Sequence, residues 1–321
     1  MTLFLAPMAG FTDIAFRDIC RNFGADVVET EFVQSEALVR DRERTWKMIE
    51  YSREQRPVGV QIFGAVPESM AKAASLVAER LNPDFIDLNF GCPAPKVVGT
   101  NAGSGLLKDL PLLEKVASAV VKAVPEMPVT AKIRLGWDRE HLVHLEVAKR
   151  LEDAGVRRIT VHGRTRAQGY SGNADWDAIA QVVQTVSVPV IGNGDIKDAG
   201  TARRRADESG VAGLMIGRGA LGRPWIFREI KAALAGTPIP PEPDFKSVLK
   251  ILIAYAEAIC GDAEYGLRAN IGRLLPFIRG VPGSRPLRAQ VAQAKTLGEF
   301  KNILEKSIDS KEDFCDNNFQ R

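Results

Sequence analysis

Asp87 to Gly105 reads DLNFGCPAPKVVGTNAGSG. An apolar run stops, Cys92 sits against Pro93, and a loop of small residues follows. A cysteine in such a place could be a disulfide partner, a metal ligand, a nucleophile or an acid. The other cysteines, Cys20, Cys260 and Cys315, are far away in the chain, and no CxxC pair exists. A disulfide framework and a zinc site are therefore poor readings, and no metal is expected. A reduced, cytoplasmic setting is the expectation.

Two further residues interrupt otherwise apolar runs, Lys132 in VTAKIRLG and His162 in RITVHGR. Burying a lysine is costly unless it is paired, so a purely structural Lys132 explains little. A lone histidine could be a satisfied core residue. Taken with Gln61 and Asn193, the two make a polar ring suited to a heterocycle with several carbonyls and ring nitrogens. Downstream, "IGNGD" and "IGRGALG" are glycine-rich ends of apolar runs. Glycine lets a backbone approach a ligand closely. N–H groups at such turns, with a helix start behind them, bind phosphate, and Arg218 adds charge. A phosphate beside a ring-shaped polar pocket implies a phosphorylated cofactor. Flavin mononucleotide (FMN) fits; pyridoxal phosphate, with Lys132 as its Schiff base, stays open.

The elements that must position these residues alternate. Short β-rich runs lie at 3–8, 27–33, 57–64, 85–90, 129–136, 158–164, 188–194 and 212–219. Helical patterns separate them, at Ile14–Phe23, Glu68–Leu81, Pro111–Val124, Leu142–Ala154, Ala178–Val186 and Thr201–Glu208, with Trp225–Leu234 closing the series. Ser35–Glu50 reads as one further helix. Gly24 and Gly155 stand where helix C-caps would be. Eight strand-helix alternations predict an α/β chain built as a (β/α)8 TIM barrel. A doubly wound open sheet is disfavoured, because no GxGxxG follows the first strand. In a barrel the site lies at the C-terminal ends of the strands. Those ends carry Pro7-Met8-Ala9-Gly10, Glu29 and Glu31, Gln61, Asn89 with Cys92, Lys132 with Arg134, His162 with Arg164, Asn193-Gly194-Asp195 and Gly217-Arg218-Gly219.

The barrel is expected over residues 1–235. The proline-rich stretch GTPIPPEPD, 236–244, reads as a linker. A C-terminal helical domain, 245–321, follows, with helices at 245–259, 267–278, 287–294 and 297–308, GVPGSRP as a turn and a frayed end. The net charge of the 321-residue chain is +3, yet from Arg268 to Lys295 there are six basic residues and no acidic one. That segment is +6 and the remainder −3, an asymmetry that suggests a polyanion contact. The plainer reading is a solvated face balanced by Asp309, Glu312, Asp313 and Asp316. No run reaches the roughly 18 apolar residues of a membrane helix, so no membrane partner is expected.

In order, LAPMAGFTDIAFR, QIFG, DLNFGCPAPKV…GSGLLKD, KIRLGWD, VHGRTRAQGYSG, VIGNGDI and MIGRGALGRPWIF resemble the tRNA-dihydrouridine synthase family, most nearly its bacterial B-type branch. The match spans about residues 3–230, with a similar helical domain behind. The resemblance implies reduction of uridine in tRNA to 5,6-dihydrouridine with FMN and NADPH. It implies that Pro7, Met8, Ala9, Gln61, Lys132, His162, Asn193, Gly194, Asp195, Gly217 and Arg218 hold FMN. Cys92 would be the catalytic acid, with Asn89 near the substrate base. The chemistry is consistent. Uracil C6 accepts hydride from reduced flavin, and C5 then needs a proton. A thiol of ordinary pKa, about 8.5, holds one at neutral pH. No Cys–His–Asp arrangement makes it an activated nucleophile. RNA contacts are expected from Lys96, Arg134, Arg164, Arg166, Arg268 and Arg273, on a protein acting as a monomer.

One stretch departs from the pattern. RANIGRLLPFIRGVPGSRPLR keeps Arg268 and a Gly-x-Pro-Gly turn but lacks the Lys-His pair and the aromatics of the B-type branch. Which RNA, and which uridine, is therefore not fixed by the resemblance. The same chemistry on ribosomal RNA, or on a free pyrimidine, is the alternative.

Overall fold

The computed structural model describes residues 1–260, 266–279 and 284–309. Its strands are β1 Thr2–Leu5, β2 Val27–Glu29, β3 Val33–Gln34, β4 Val58–Phe63, β5 Phe85–Phe90, β6 Val129–Arg134, β7 Ile159–His162, β8 Val190–Asn193 and β9 Gly213–Ile216. All their pairings are parallel. The order is β2-β1-β9-β8-β7-β6-β5-β4-β3, and β2 also pairs with β4. That last pairing closes an eight-stranded (β/α)8 barrel, beside which β3 is a two-residue addition to β4.

The strand expected over 27–33 is thus two short ones. Thr30 explains the break. Its hydroxyl accepts from Gln61 N at 3.3 Å, where a ladder carbonyl would otherwise serve, and donates to Glu31 O at 3.0 Å. A side chain that bonds the backbone competes with the ladder. The helix expected over 35–50 is likewise two, Ser35–Val39 and Glu43–Met48, parted near Asp41, whose φ is 51°.

Helices Ile14–Asn22, Pro67–Leu81, Leu110–Ala123, His144–Asp153, Trp176–Thr185, Ala199–Ser209 and Ile226–Ala235 accompany the barrel strands. Four begin on an aspartate whose carboxylate accepts a first-turn N–H: Asp13, Asp109, Asp175 and Asp198. Each such cap stabilises its helix by about 1 kcal/mol. Gly24 and Gly155, φ 101° and 93°, follow helix ends in the left-handed region.

Inside the barrel, Phe4, Ala6, Val27, Phe85, Ile191 and Met215 form an apolar layer. The Phe85 ring fills the space beside its register partner Gly59, where a Cβ would lie 2.1 Å from a ring carbon. Alternation then carries polar side chains toward the C-terminal ends of the same strands, since residues two apart share a face.

The chain divides into two compact units, 1–219 with 226–239, and 220–225 with 240–321. The second contains helices Phe245–Cys260, Gly266–Leu274, Arg285–Gln293 and Leu297–Asp309. Its core includes Leu252, Tyr255, Leu274, Phe277, Val291 and Phe300. The helix expected over 267–278 ends at Leu274, and Leu275–Ile278 tightens into a 3-10 turn around Pro276. Ala220–Trp225, expected in the barrel, belongs to this unit: Gly222, φ 74°, lies where a Cβ would sit 2.3 Å from the Pro276 backbone. Most of the expected 280–286 turn, Cys315 and the terminal acidic residues beyond Asp309 lie outside the described residues.

Candidate active site at the barrel mouth

Register assembles the site. It sets Gln61 beside Asp87, Asn89 beside Lys132, Arg134 beside His162, and His162 beside Asn193. These are neighbours on adjacent strands although they are far apart in the chain, Asn89 and Lys132 the farthest, and a side-chain hydrogen bond reaches across β7 from Lys132 to Asn193.

Cys92 follows β5 and is held by its backbone on both sides. Its N–H donates to Asn89 Oδ1 at 2.9 Å. Its carbonyl accepts from Ser104 N at 3.1 Å and from Ser104 Oγ at 2.8 Å, which returns the small-residue loop to its start. Arg134 Nε donates to Gly91 O at 2.8 Å. The thiol is half-buried. Burial pushes its pKa up, against an opposing hydrogen bond from the Ala94 backbone and the charges of Arg134 and Lys132. A protonated thiol thus stands at the mouth at neutral pH.

Lys132 Nζ donates to Asn193 Oδ1 at 3.0 Å, and Asn193 Nδ2 donates to Met215 O at 2.8 Å. Burial lowers the lysine to about 8, helped by Arg134 and opposed by Glu29, Asp87 and Cys92. It remains mostly cationic at neutral pH. Burial, then Lys132, Arg134, Arg164 and Arg218, hold His162 well below the ordinary histidine range. Its imidazole is neutral, one nitrogen donating and the other accepting. A cation, a neutral imidazole and amides converging on one space fit a heterocycle with carbonyls.

The turns after β8 and β9 supply a backbone cradle. Gly194 has φ 133°, and a Cβ there would lie 2.5 Å from Ala174 Cβ and 3.3 Å from His162 Cδ2. A Gly217 Cβ would meet Met8 Sδ at 3.4 Å. Met8 itself packs on the apolar layer, and its N–H donates to Thr12 Oγ1. Arg218, half exposed, reaches within 3.6 Å of Asp195. Glycine backbone with an arginine beside it fits a phosphate. These are the residues that would hold FMN. The Asp195 carboxylate is engaged elsewhere, which leaves only its backbone to face such a group: Arg164 Nη2 donates to both oxygens, at 2.9 and 2.8 Å, and Ala174 N to one at 2.7 Å.

That geometry corrects one expectation. Arg164 is 1 % exposed, and besides Asp195 its guanidinium donates to Ser171 O and Gly172 O. It is an internal brace between loops, with no face left for RNA. Arg134, 3 % exposed, also donates Nη1 to Thr165 O and Gly169 O. Lys96 is exposed on the short helix Pro95–Val98. Arg166 lies on the Trp137 ring, 4.4 Å from its centroid, with Lys108 Nζ at 3.6 Å. In the second unit Arg268 is exposed on helix Gly266–Leu274, where Arg273 is partly buried.

Sequence reasoning missed three features. Asp87 and Thr130 share the inward face with Asn89 and Lys132; the two-residue alternation along β5 and β6 was the signal. Tyr170, 59 % exposed, has Arg218 4.5 Å and Arg134 5.7 Å from its ring centroid. An aromatic in a glycine-bearing loop after a strand end was its only mark.

Fold and site together define a parallel (β/α)8 barrel with a protonated thiol beside a cationic, glycine-lined mouth. The family model described as dihydrouridine synthase matches residues 4–313, and the chain belongs to that family. It is 43 % identical over 291 residues to tRNA-dihydrouridine synthase B of Pseudomonas aeruginosa, covering 90 % of this chain and 87 % of that one. A probable tRNA-dihydrouridine synthase of Rhodobacter capsulatus is 43 % identical over 309 residues, 96 % of this chain and 95 % of its own. A probable tRNA-dihydrouridine synthase of Mycobacterium tuberculosis is 36 % identical over 314 residues, 94 % of this chain and 81 % of its own.

Proposed function

We propose that this protein reduces uridines in tRNA to 5,6-dihydrouridine in the cytoplasm, with FMN bound in the barrel mouth and NADPH as electron donor. When bound, the reduced flavin supplies the hydride that uracil C6 accepts. The protein's residues do the rest. Cys92 gives its proton to C5, breaking S–H as C5–H forms, and the thiolate regains a proton from solvent. What supports this most is the Cys92 thiol itself: kept neutral by burial, and fixed at the mouth through Asn89 and Ser104. Lys132, neutral His162 and Gln61 would face the carbonyls and nitrogens of the flavin ring, and the glycine turns with Arg218 its phosphate. The family membership and the names of the relatives support uridine in tRNA as substrate.

A uracil inside folded RNA cannot reach a barrel mouth, so the target nucleotide is extruded, at a cost of a few kcal/mol. RNA would be held by shape and backbone, through Lys96, Arg166 and the exposed basic residues of the helical unit such as Arg268. The deciding experiment is anaerobic. Reduced protein is mixed with tRNA lacking dihydrouridine, and flavin reoxidation is followed while the modification is mapped by position. Reoxidation with dihydrouridine formed in tRNA supports the proposal. Reoxidation by ribosomal RNA or a free pyrimidine alone overturns tRNA as substrate, and reoxidation by none of them overturns the function.

A further inference from the structure

Asp87 is fully buried in the barrel interior, yet it is linked to Cys92 through two amides whose orientations are forced. Backbone N–H groups only donate. The Asn89 atom facing Gly91 N at 3.1 Å and Cys92 N at 2.9 Å must therefore be its carbonyl oxygen. The Asn89 NH2 then points at Gln61, 2.7 Å away, and must meet the Gln61 carbonyl. The Gln61 NH2 in turn faces Asp87 Oδ2 at 2.7 Å, which must accept. The remaining Asp87 oxygen meets Thr130 Oγ1 at 2.5 Å, a hydroxyl able to donate or accept. Asn89 is the most exposed of the four, at 7 %, so water is a poor substitute for any link.

We infer that Asp87 is a positioning residue for Cys92: by accepting from Gln61 it locks both amides in the one orientation that places the Asn89 oxygen on the Cys92 N–H. This rests on the reading of Cys92 as proton donor. Without an acceptor at 87, Gln61 is free to turn over. Its NH2 then meets the NH2 of Asn89, and Asn89 turns in response. Two donors would then face each other at the Cys92 N–H, and the loop would lose its hold at the residue carrying the thiol.

A different role for Asp87, as a charge beneath Lys132, makes a different prediction, and two variants separate them. Asp87→Asn removes the charge but keeps an acceptor: its carbonyl can serve Gln61, and its NH2 can donate to the Thr130 hydroxyl. Asp87→Leu keeps the branching at Cγ and removes the acceptor. Hydrogen exchange at the Gly91 and Cys92 amides is measured on both variants and the wild type, with single-turnover uridine reduction on the same samples. In Asp87→Leu both amides exchange about 10-fold faster or more, and reduction slows about as much, the loss of one buried link. Binding of tRNA is unchanged in that variant, and Asp87→Asn recovers both exchange protection and rate. If Asp87→Leu does not fold, Gln61→Met breaks the middle link and gives the same deprotection. Wild-type exchange in Asp87→Leu, or in Gln61→Met where that stands in, overturns the inference, as does deprotection in Asp87→Asn equal to that in Asp87→Leu. The exchange arm decides the positioning role even if wild-type protein reduces no tRNA, an outcome that would sink the functional reading instead.

Discussion

Arg134 Nε donates to the carbonyl of Gly91 at 2.8 Å, so a cation on β6 holds the backbone one residue ahead of Cys92. The same guanidinium reaches Thr165 O and Gly169 O through Nη1, at 2.9 and 2.8 Å. One planar fork thus ties the loop after β5 to the loop after β7. Burial lowers its pKa, to about 10, and it stays charged at neutral pH. Arg134→Met leaves three carbonyls without this donor. A loss of about 3 kcal/mol follows, at one to a few kcal/mol for a buried charged hydrogen-bond donor. It is read as a lower urea midpoint with an unchanged slope. Arg134→Lys recovers little, because one ammonium cannot reproduce the fork. A midpoint within error of wild type would show the loops are joined by other means.

Cys92→Ala separates the two halves of the proposed reaction. Flavin binding and reduction by NADPH should persist, since the thiol is not among the groups assigned to the cofactor. Dihydrouridine formation should fall by about 10²- to 10⁴-fold, the usual worth of a positioned general acid. Stopped-flow spectra of each half-reaction check this. Undiminished product from the alanine variant would remove Cys92 from the chemistry.

The thiol's protonation gives a pH prediction. Burial favours its neutral form, so its midpoint lies above the ordinary cysteine value of about 8.5. Iodoacetamide should alkylate Cys92 slowly at pH 7.5, with the rate still climbing past the ordinary cysteine value and levelling off only above the raised midpoint. Turnover limited by the acid falls over the same range as the proton is lost. Mass-spectrometric alkylation profiles measure this directly, and a midpoint below pH 8 would mean an activated thiolate instead of an acid.

The same residues show what was legible in sequence. Strand-helix alternation gave the barrel, because strands buried on both faces must be apolar and a polar residue near their ends stands out. Lys132, His162, Gln61, Asn193 and Cys92 were found that way, and the register brings them to one mouth. Partners were not legible. Arg164 and Arg268 are both arginines in basic surroundings, but one is buried on Asp195 and the other exposed. Whether a guanidinium finds carbonyls depends on loops that converge only in the fold. Asp87 was hidden for a related reason: its significance lies in the direction of a hydrogen-bond chain across β4, β5 and β6. The break at Thr30 depends on one hydroxyl reaching Gln61 N, which no two-residue alternation reveals.

Lys132 ties stability to pH. In the unfolded chain it holds its proton to about pH 10.5, and in the folded flavin-free protein only to about 8. Between those values the unfolded state binds more protons, so raising pH through the window favours the folded state at this position. Below about pH 8 both states are protonated and the folded form bears the cost of a buried cation. Relative to Lys132→Met, wild-type stability should therefore improve from pH 8 toward 10, read as the difference between their urea midpoints. A flat difference would mean that Lys132 keeps its proton in the folded protein through that range.

The helical unit gives a prediction about binding without chemistry. Arg268 and Arg273 lie in a stretch, 268–295, that carries six cations and no anion. If that face neutralises RNA phosphates, the double change Arg268→Glu and Arg273→Glu weakens tRNA binding uniformly across tRNA species. The slope of log Kd against log salt should also fall, by about 1 for each phosphate no longer neutralised. The flavin spectrum and its reduction by NADPH should not move, because neither residue belongs to the barrel. Titrations at several salt concentrations give both quantities. An unchanged slope with weaker binding would mean the reversal disturbed the fold of the unit, and unchanged binding would put the RNA interface on other residues, with Lys96 and Arg166 tested next.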